Sequence, residues 1–337
     1  MNPIKTTRKI KALGLCSGGL DSILSALLLV RQGIDVTWIS FTTPFFSSKS
    51  AEKAADQTGI PLMVQDITLD YMEMMKQPKA GFGKNMNPCM DCHALMFAKA
   101  GEHLEKEGFH FLFSGEVLGQ RPKSQNRNSL RYVEKNSGFD GWILRPLSAR
   151  RLPETLAEKQ GLVDRNQLLD ITGRSRKIQT QLAADFGVKQ YPAPAGGCLL
   201  TDKLYSQRLQ DLMTCQTHYD ICELYLLRYG RHFRLDADTK VIVGRSQKDN
   251  AQLLKHLDIT RQAHLRHETL ASPDLIVTGC LTPENLQTAA MICTAYTKSR
   301  PGEPSRVVIR QGGATSVVTV KSLNADVFKP LMISSFH

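Results

Sequence analysis

Two groups of residues in this chain of 337 residues carry types and spacings that could do chemistry. The first is Ser17-Gly18-Gly19-Leu20-Asp21-Ser22. Adjacent glycines let a backbone turn sharply and bring its N–H groups close to an anion. The serine hydroxyls add donors, and a helix starting here would present further free N–H groups at the positive end of its dipole. That combination is a phosphate cradle, and without a Gly-Lys-Ser/Thr ending it is not a Walker loop. The bland alternative is a strand-to-helix turn capped by Asp21.

The second group is Cys89-x-x-Cys92 with Cys198. Asn87-Pro88 before the pair and Asp91 inside it are poor company for core thiols, and a helix beginning there would favour thiolates. Cys198 closes Pro194-Ala195-Gly196-Gly197, where glycines permit close approach of a ligand. Three readings stay open. The thiols could ligate three irons of a 4Fe-4S cluster and leave the fourth open for exogenous sulfide. They could be redox-active or persulfide-carrying thiols. They could also be part of a zinc site completed by His93. Without a leader no disulfides are expected, and Cys215, Cys222, Cys280 and Cys293 read as core.

Elements that would position these groups alternate along the chain. Ile10 to Cys16 reads as a strand, Ile23 to Arg31 as a helix, Val36 to Phe41 as a strand and Lys49 to Thr58 as a helix. Strands at Leu62 to Ile67, Phe111 to Ser114 and Trp142 to Leu144, with a helix at Ala94 to Glu107, continue the pattern. Such alternation predicts an α/β fold, a doubly wound parallel sheet with ligands beyond the carboxyl ends of its strands. That places Phe41, Thr42, Gly115 and Glu116 to meet a nucleoside. The Pro/Gly-rich stretch Lys76 to Pro88 predicts a long functional loop. Met72, Met74 and Met75 read as core or lid residues.

Further on, Pro153 to Gln160, Arg176 to Phe186 and a long run from Lys203 to Leu227 read as helices. From about Tyr229 a small α+β domain is expected, with strands at Lys240 to Val243, Leu275 to Thr278, Val307 to Arg310 and Val317 to Lys321 and helices at Asp249 to Leu257 and Pro283 to Tyr296. The expected domains are therefore 1–190, a linker with Cys198 at 191–228, and 229–337.

A net charge of +11 suits a polyanionic partner. Between Arg121 and Arg151 eight basic residues (Arg121, Lys123, Arg127, Arg131, Lys135, Arg145, Arg150, Arg151) face two acids, Glu134 and Asp140, so a phosphate backbone could lie there. The last domain carries 14 Lys and Arg against 9 Asp and Glu, so the excess is shared. No apolar stretch approaches the roughly 20 residues of a membrane span. No membrane role is expected, and a cytoplasmic location is.

Cys16 to Ser22, Gly115-Glu116-Val117-Leu118-Gly119-Gln120 with Ser124-Gln125, and Arg145-Pro146-Leu147 together resemble the catalytic domain of tRNA 4-thiouridine synthases, the ThiI family, over roughly residues 8 to 190. That family lies in the ATP pyrophosphatase (PP-loop) superfamily, whose members cleave ATP between the α and β phosphates. Asn87-Pro88-Cys89-Met90-Asp91-Cys92 is similar to the Asn-Pro-Asp-x-x-Cys segment of tRNA 2-thiouridylases, the MnmA family, with Cys89 where that family has Asp. Lys240-Val241-Ile242-Val243-Gly244-Arg245, followed by Lys248, Asp249, Asn250 and Leu253, is similar to the RNA-binding domain of NFACT proteins.

These resemblances imply a sheet of adenine-nucleotide alpha-hydrolase type and use of ATP and Mg2+, with Ser17, Gly18, Gly19, Asp21 and Ser22 on the pyrophosphate and Gln120 also at the nucleotide. A uracil carbonyl in tRNA would be adenylated and its oxygen replaced by sulfur, with 4-thiouridine favoured over 2-thiouridine. Related thiolases with a CxxC and a distant cysteine hold an iron-sulfur cluster on them, which carries that role onto Cys89, Cys92 and Cys198. Inorganic sulfide or a cysteine desulfurase persulfide would supply sulfur, and a homodimer is left open. Neither the N-terminal RNA-binding module of the ThiI family nor a rhodanese-like tail is found here, so the usual persulfide relay is not expected. Rival readings are a non-catalytic RNA-binding adaptor, which the intact SGGxDS disfavours, and another PP-loop enzyme such as a tRNA 2-thiocytidine synthase or an amide-forming enzyme.

Overall fold

The first apolar run forms β1 (Lys11–Leu15), and the chain then alternates through α1 (Leu20–Arg31), β2 (Asp35–Thr42), α2 (Lys49–Thr58), β3 (Leu62–Asp66), α3 (Thr68–Lys76), α4 (Cys89–Glu107), β4 (Phe111–Ser114), α5 (Arg127–Ser137) and β5 (Ile143–Leu144). The structure, a computed structural model, describes residues 9–193, 197–216 and 219–333. Every pairing in the first sheet is parallel, in the order β3-β2-β1-β4-β5. The chain runs outward from β1 to β3, then returns to the other side of β1 for β4. The carboxyl ends of β1 and β4 therefore flank the topological switch point, where open α/β sheets bind ligands.

Period-2 alternation within the strands explains the two-sided core. Ala12, Trp38, Phe111 and Phe113 pack with Leu20, Ile23, Leu24 and Leu28 of α1 and Ala51 and Ala54 of α2. Leu13, Ile39 and Leu112, next along each strand, are equally buried, and α4 lies against β1, β4 and α5. Helices thus flank the sheet, as the alternation of elements predicts.

The first compact unit takes the described residues of Met1–Gly83 and Asn87–Cys198, and the second those of Lys84–Met86 and Leu199–His337. The first unit also holds α6 (Leu156–Lys159) and α7 (Lys177–Asp185). In the second unit α8 (Lys203–Cys215) and α9 (Ile221–Leu226) precede β6 (Arg231–Arg234), β7 (Lys240–Val243), α10 (Gln247–Lys255), β8 (Ala263–His267), β9 (Leu275–Thr278), α11 (Pro283–Ala295), β10 (Pro304–Gln311) and β11 (Ala314–Lys321). Its sheet is wholly antiparallel, in the order β11-β10-β8-β9-β7-β6. α11 covers one face over Leu265, Val277, Val307 and Ile309.

Several expectations need correction. The single helix over Lys203 to Leu227 is broken, because Asp220 and Glu223 form a capping box that starts α9 anew. The second helix folds back on the first, so that Tyr205 Oη donates to Leu224 O at 3.0 Å and Arg208 Nη1 to Leu227 O at 2.8 Å. Cys215 and Cys222 consequently do not share one helical face. Both are half-buried, Cys280 is exposed, and of these four only Cys293 is a core thiol. α3, α5, β6 and β8 are elements that the sequence patterns did not suggest. Among the described residues no helix is long and apolar enough to cross a membrane.

Candidate active site

At the switch point the loop after β1 meets the loop after β4. Gly18 has φ +71°, and a Cβ there would collide with the Ser50 backbone, so only glycine lets this turn lie against α2. Gly115, one residue past β4, rests on the backbone of Asp21 and Ser22 with no room for a side chain. The first turn of α1 starts at Gly19 with no side-chain cap, so its leading N–H groups remain available to an anion. The exposed Ser17 Oγ accepts from Gly19 N–H at 3.3 Å. Ser22 differs: its hydroxyl is buried and donates to Gly19 O at 2.8 Å, so it shapes the loop.

Asp21 does not cap the helix. Gln120 Nε2 donates to its Oδ2 at 2.6 Å, and Gln179 Nε2 of α7 donates to Gln120 Oε1 at 3.1 Å. Asp21 Oδ1 is buried with no hydrogen-bond partner among the described residues. A carboxylate with one oxygen fixed and the other bare at a phosphate-type turn fits a divalent cation such as Mg2+. Sequence patterns do not point to Gln179, nor to Arg176 one turn before it, whose Nε is also buried with no hydrogen-bond partner among the described residues. The spacing of the two on one helical face was the only signal.

The other residues expected at the nucleotide stand at or just past the carboxyl ends of β2 and β4. Phe41 is buried in the sheet, and Thr42 Oγ1 donates to Asp66 Oδ2 at 3.0 Å. Glu116 is 5 % exposed and its carboxylate is fully occupied. Oε2 accepts from Arg145 Nε at 3.0 Å and from Ser114 Oγ at 3.1 Å, while Oε1 lies 2.8 Å from His93 Nδ1. Burial pushes this carboxyl up, but Arg145 and His93 overcome it and hold it at about 2.

Arg145 is itself buried and also grips Glu134 of α5. Arg131 is paired with Glu134 and Asp140, and Arg150 and Arg151 with Asp170. The basic stretch is thus partly neutralised from within. Arg121, Lys123 and Arg127 remain exposed.

α4 begins at Cys89, which makes Cys89 and Cys92 neighbours one turn apart. Cys92 is buried, and Tyr71 of α3 donates its phenol hydrogen bond to it. Asn87 Nδ2 donates to Cys89 Sγ at 3.1 Å. Cys89 and Cys198 both act electrostatically on Cys92 and on Tyr71, so all three thiols lie within electrostatic reach of one phenol. Burial pushes the Cys92 thiol well up and the other two cysteines add to the rise, which corrects the expectation that the helix terminus alone would yield thiolates there. Cys198 itself is half-buried, and Pro194, Ala195 and Gly196 before it lie outside the described residues.

Among the described residues no three His, Cys, Asp or Glu side chains converge as ligands of one metal ion. His93, the fourth ligand of the zinc alternative, has its Nδ1 on Glu116. Two of the three thiols receive hydrogen bonds at sulfur, and thiol is the donor chemistry that an iron-sulfur cluster takes. Tyr71 escaped the sequence reading, although Ile67, Tyr71 and Met75 at four-residue spacing mark the buried stripe of α3.

Residues 7–152 match the family model described as "Thiamine biosynthesis protein (ThiI)", and residues 230–331 match that of the NFACT protein RNA binding domain. One stretch of the chain is thus similar to the ThiI family and a later one to the RNA-binding domain of NFACT proteins. A tRNA-specific 2-thiouridylase MnmA from Listeria monocytogenes serotype 4a is 23% identical over 340 residues, covering 92% of this chain and 87% of the relative. The MnmA of Treponema denticola is 33% identical over 169 residues, 44% of this chain and 45% of that one. Among solved structures, a 4-thiouridine synthetase–RNA complex with bound ATP aligns with TM-score 0.34 and 20% identity, covering 53% of this chain and 51% of that one.

Proposed function

We propose that this protein uses ATP to adenylate a uracil carbonyl in tRNA and then replaces the carbonyl oxygen with sulfur. The observation that carries the proposal is the shared support of two chemistries. The phosphate-type turn and the cysteine-bearing helix are both anchored at the carboxyl end of β4, through Gly115 against Asp21 and through Glu116 against His93.

In this reading Ser17, Gly18 and Gly19 and the leading amides of α1 hold the β and γ phosphates. Asp21 would hold Mg2+, which neutralises phosphate charge when bound, and Gln120 and Gln179 keep the carboxylate aimed. Ser22 holds the loop in shape. Phe41, Thr42, Gly115 and Glu116 belong to the walls of the nucleoside site and support it from within. The uracil oxygen attacks the α-phosphorus and pyrophosphate leaves. Sulfide adds at the activated ring carbon, and the C–O bond breaks with AMP as leaving group, so no oxidant or reductant is needed.

Cys89, Cys92 and Cys198 would hold a 4Fe-4S cluster, which would supply a thiophilic centre for sulfide. Tyr71 and Asn87 steady two of the sulfurs. The NFACT-type domain, with Arg121, Lys123 and Arg127, would bind tRNA phosphates. The ThiI-type domain favours 4-thiouridine as product, and the MnmA relatives keep 2-thiouridine as the alternative. The test is release of AMP and pyrophosphate from ATP: it should require tRNA and disappear in Asp21→Ala, and tRNA-independent turnover unaffected by that change would sink the proposal.

A further inference from the structure

The second unit holds a cavity of about 650 Å³ that no step above uses. It opens on the face of the antiparallel sheet away from α11. Side chains alternate along β8 and β10, so while Leu265 and Ile309 enter the core under α11, Arg266 stands opposite Val308 and His264 opposite Arg310 on the other face. α10 reaches this face only in part and contributes Leu254 to the cavity wall, with Leu257 just beyond it. Leu254 and Leu270 line the cavity while 44% and 39% exposed, an unusual position for two leucines.

Each acid of the lining already has a side-chain partner. Asp274 lies 2.8 Å from His264, and Glu268 is paired with Arg306 at 3.1 Å. Among the described residues, neither Arg266 nor Arg310 has an ion-pair partner, and both are exposed at the cavity. The cavity therefore combines apolar walls with two guanidinium groups and two acids already satisfied. An apolar planar group beside a phosphate would satisfy it, and its volume lies in the range that encloses a small ligand.

We infer that this cavity takes one unstacked nucleotide of a single-stranded RNA segment, with the base against Leu254, Leu270 and Val308 and its phosphate between Arg266 and Arg310. The inference rests on the reading above that the partner is RNA. It gives the second domain a means of gripping a looped-out nucleotide in addition to general attraction for phosphates. Arg266, Arg310 and Leu254 are all exposed, so their substitution leaves the cores intact.

The experiment uses the full chain and a fluorescent single-stranded oligouridylate, titrated over a range of salt. Arg266→Gln and Arg310→Gln should each weaken binding by roughly tenfold and lower the log–log salt slope by about 0.7, the value for one lost contact on a single strand. Leu254→Ser should weaken binding several-fold without changing the slope, and Lys298→Gln, an exposed charge outside the cavity, should change neither. The inference is overturned if the arginine variants bind like the wild type or no worse than Lys298→Gln. It is also overturned if UMP alone binds as tightly as the oligonucleotide, which would make the cavity a free-nucleotide site. Thiolation measured in parallel separates the two ideas. Product from a protein whose arginine variants bind RNA normally removes only the cavity, whereas cavity-dependent binding without product removes only the thiolase reading.

Discussion

His93 Nδ1 lies 2.8 Å from Glu116 Oε1 and so fastens the N-terminal end of the cysteine-bearing helix α4 to the segment that leaves β4. The neighbouring Gly115 rests on Asp21, so one short stretch of chain supports both the phosphate-type turn and the thiols. Arg145 completes this support by holding the other Glu116 oxygen from within the protein.

Loss of the Glu116 charge should therefore be costly. With its folded value near 2 against an ordinary 4.5, the ion pair contributes stability that is complete above pH 4.5 and is lost as pH falls towards 2. Glu116→Gln leaves the buried Arg145 with only one of its two carboxylates, Glu134, and should cost on the order of 2 kcal/mol at pH 7. Urea unfolding between pH 2 and 5 should show a flatter acid limb in the variant than in the wild type. Superimposable limbs would remove Glu116 from this role.

Asp21 and its support should separate by magnitude. Asp21→Ala should lose roughly 2 to 4 kcal/mol of transition-state stabilisation in AMP formation. Gln120→Ala should lose about 1 to 2 kcal/mol, because it frees the carboxylate to wander without removing it. Ser22→Ala should act on stability, by about 1 kcal/mol, and little on AMP formation, since its hydroxyl serves Gly19 O. Initial rates of AMP release with tRNA present, read beside thermal melts, check all three.

Gly18→Ala tests the turn itself. The positive φ and the adjacent Ser50 backbone leave no place for a methyl group, so the loop must move off α2. ATP binding should fall at least tenfold while the far-ultraviolet dichroism of the folded chain is kept. Unchanged ATP affinity would show that the turn does not hold phosphate.

Much of this site was legible because local chemistry and local conformation agree. Ser17 to Ser22 combines the glycines of a tight turn with the start of an apolar helix, and β1 and α1 form on either side of it. What stayed hidden depends on distant residues. Gln179 meets Gln120 across 59 residues and Arg145 meets Glu116 across 29, and neither pairing leaves a periodic trace. Arg145 reads as surface charge from its type, whereas two carboxylates keep it buried. α3 leaves little trace in the sequence because Thr68 to Lys76 is short and half-buried methionines interrupt the Ile67, Tyr71, Met75 stripe.

Lys240 provides a test within the second domain. It is 1% exposed, its Nζ has no hydrogen-bond partner among the described residues, and burial chiefly lowers it to about 8. Its folded value lies below its unfolded one, so the unfolded chain binds more protons between pH 8 and 10.5 and stability rises with pH across that window. Lys240→Met should abolish the rise and stabilise the protein at pH 7 by on the order of 2 kcal/mol. Denaturant midpoints at pH 7 and pH 10 check this, and a destabilised variant would mean that the ammonium has a favourable role.

The most direct measurement is mass spectrometry of nucleosides from tRNA incubated anaerobically with the iron-loaded protein, ATP, Mg2+ and sulfide. One uridine should exchange oxygen for sulfur with one AMP formed per exchange, and Cys92→Ala should lose the thiolated nucleoside while ATP binding persists. AMP formation with no thiolated nucleoside, while all three thiols are intact and loaded, would contradict the assignment of sulfur chemistry to this site.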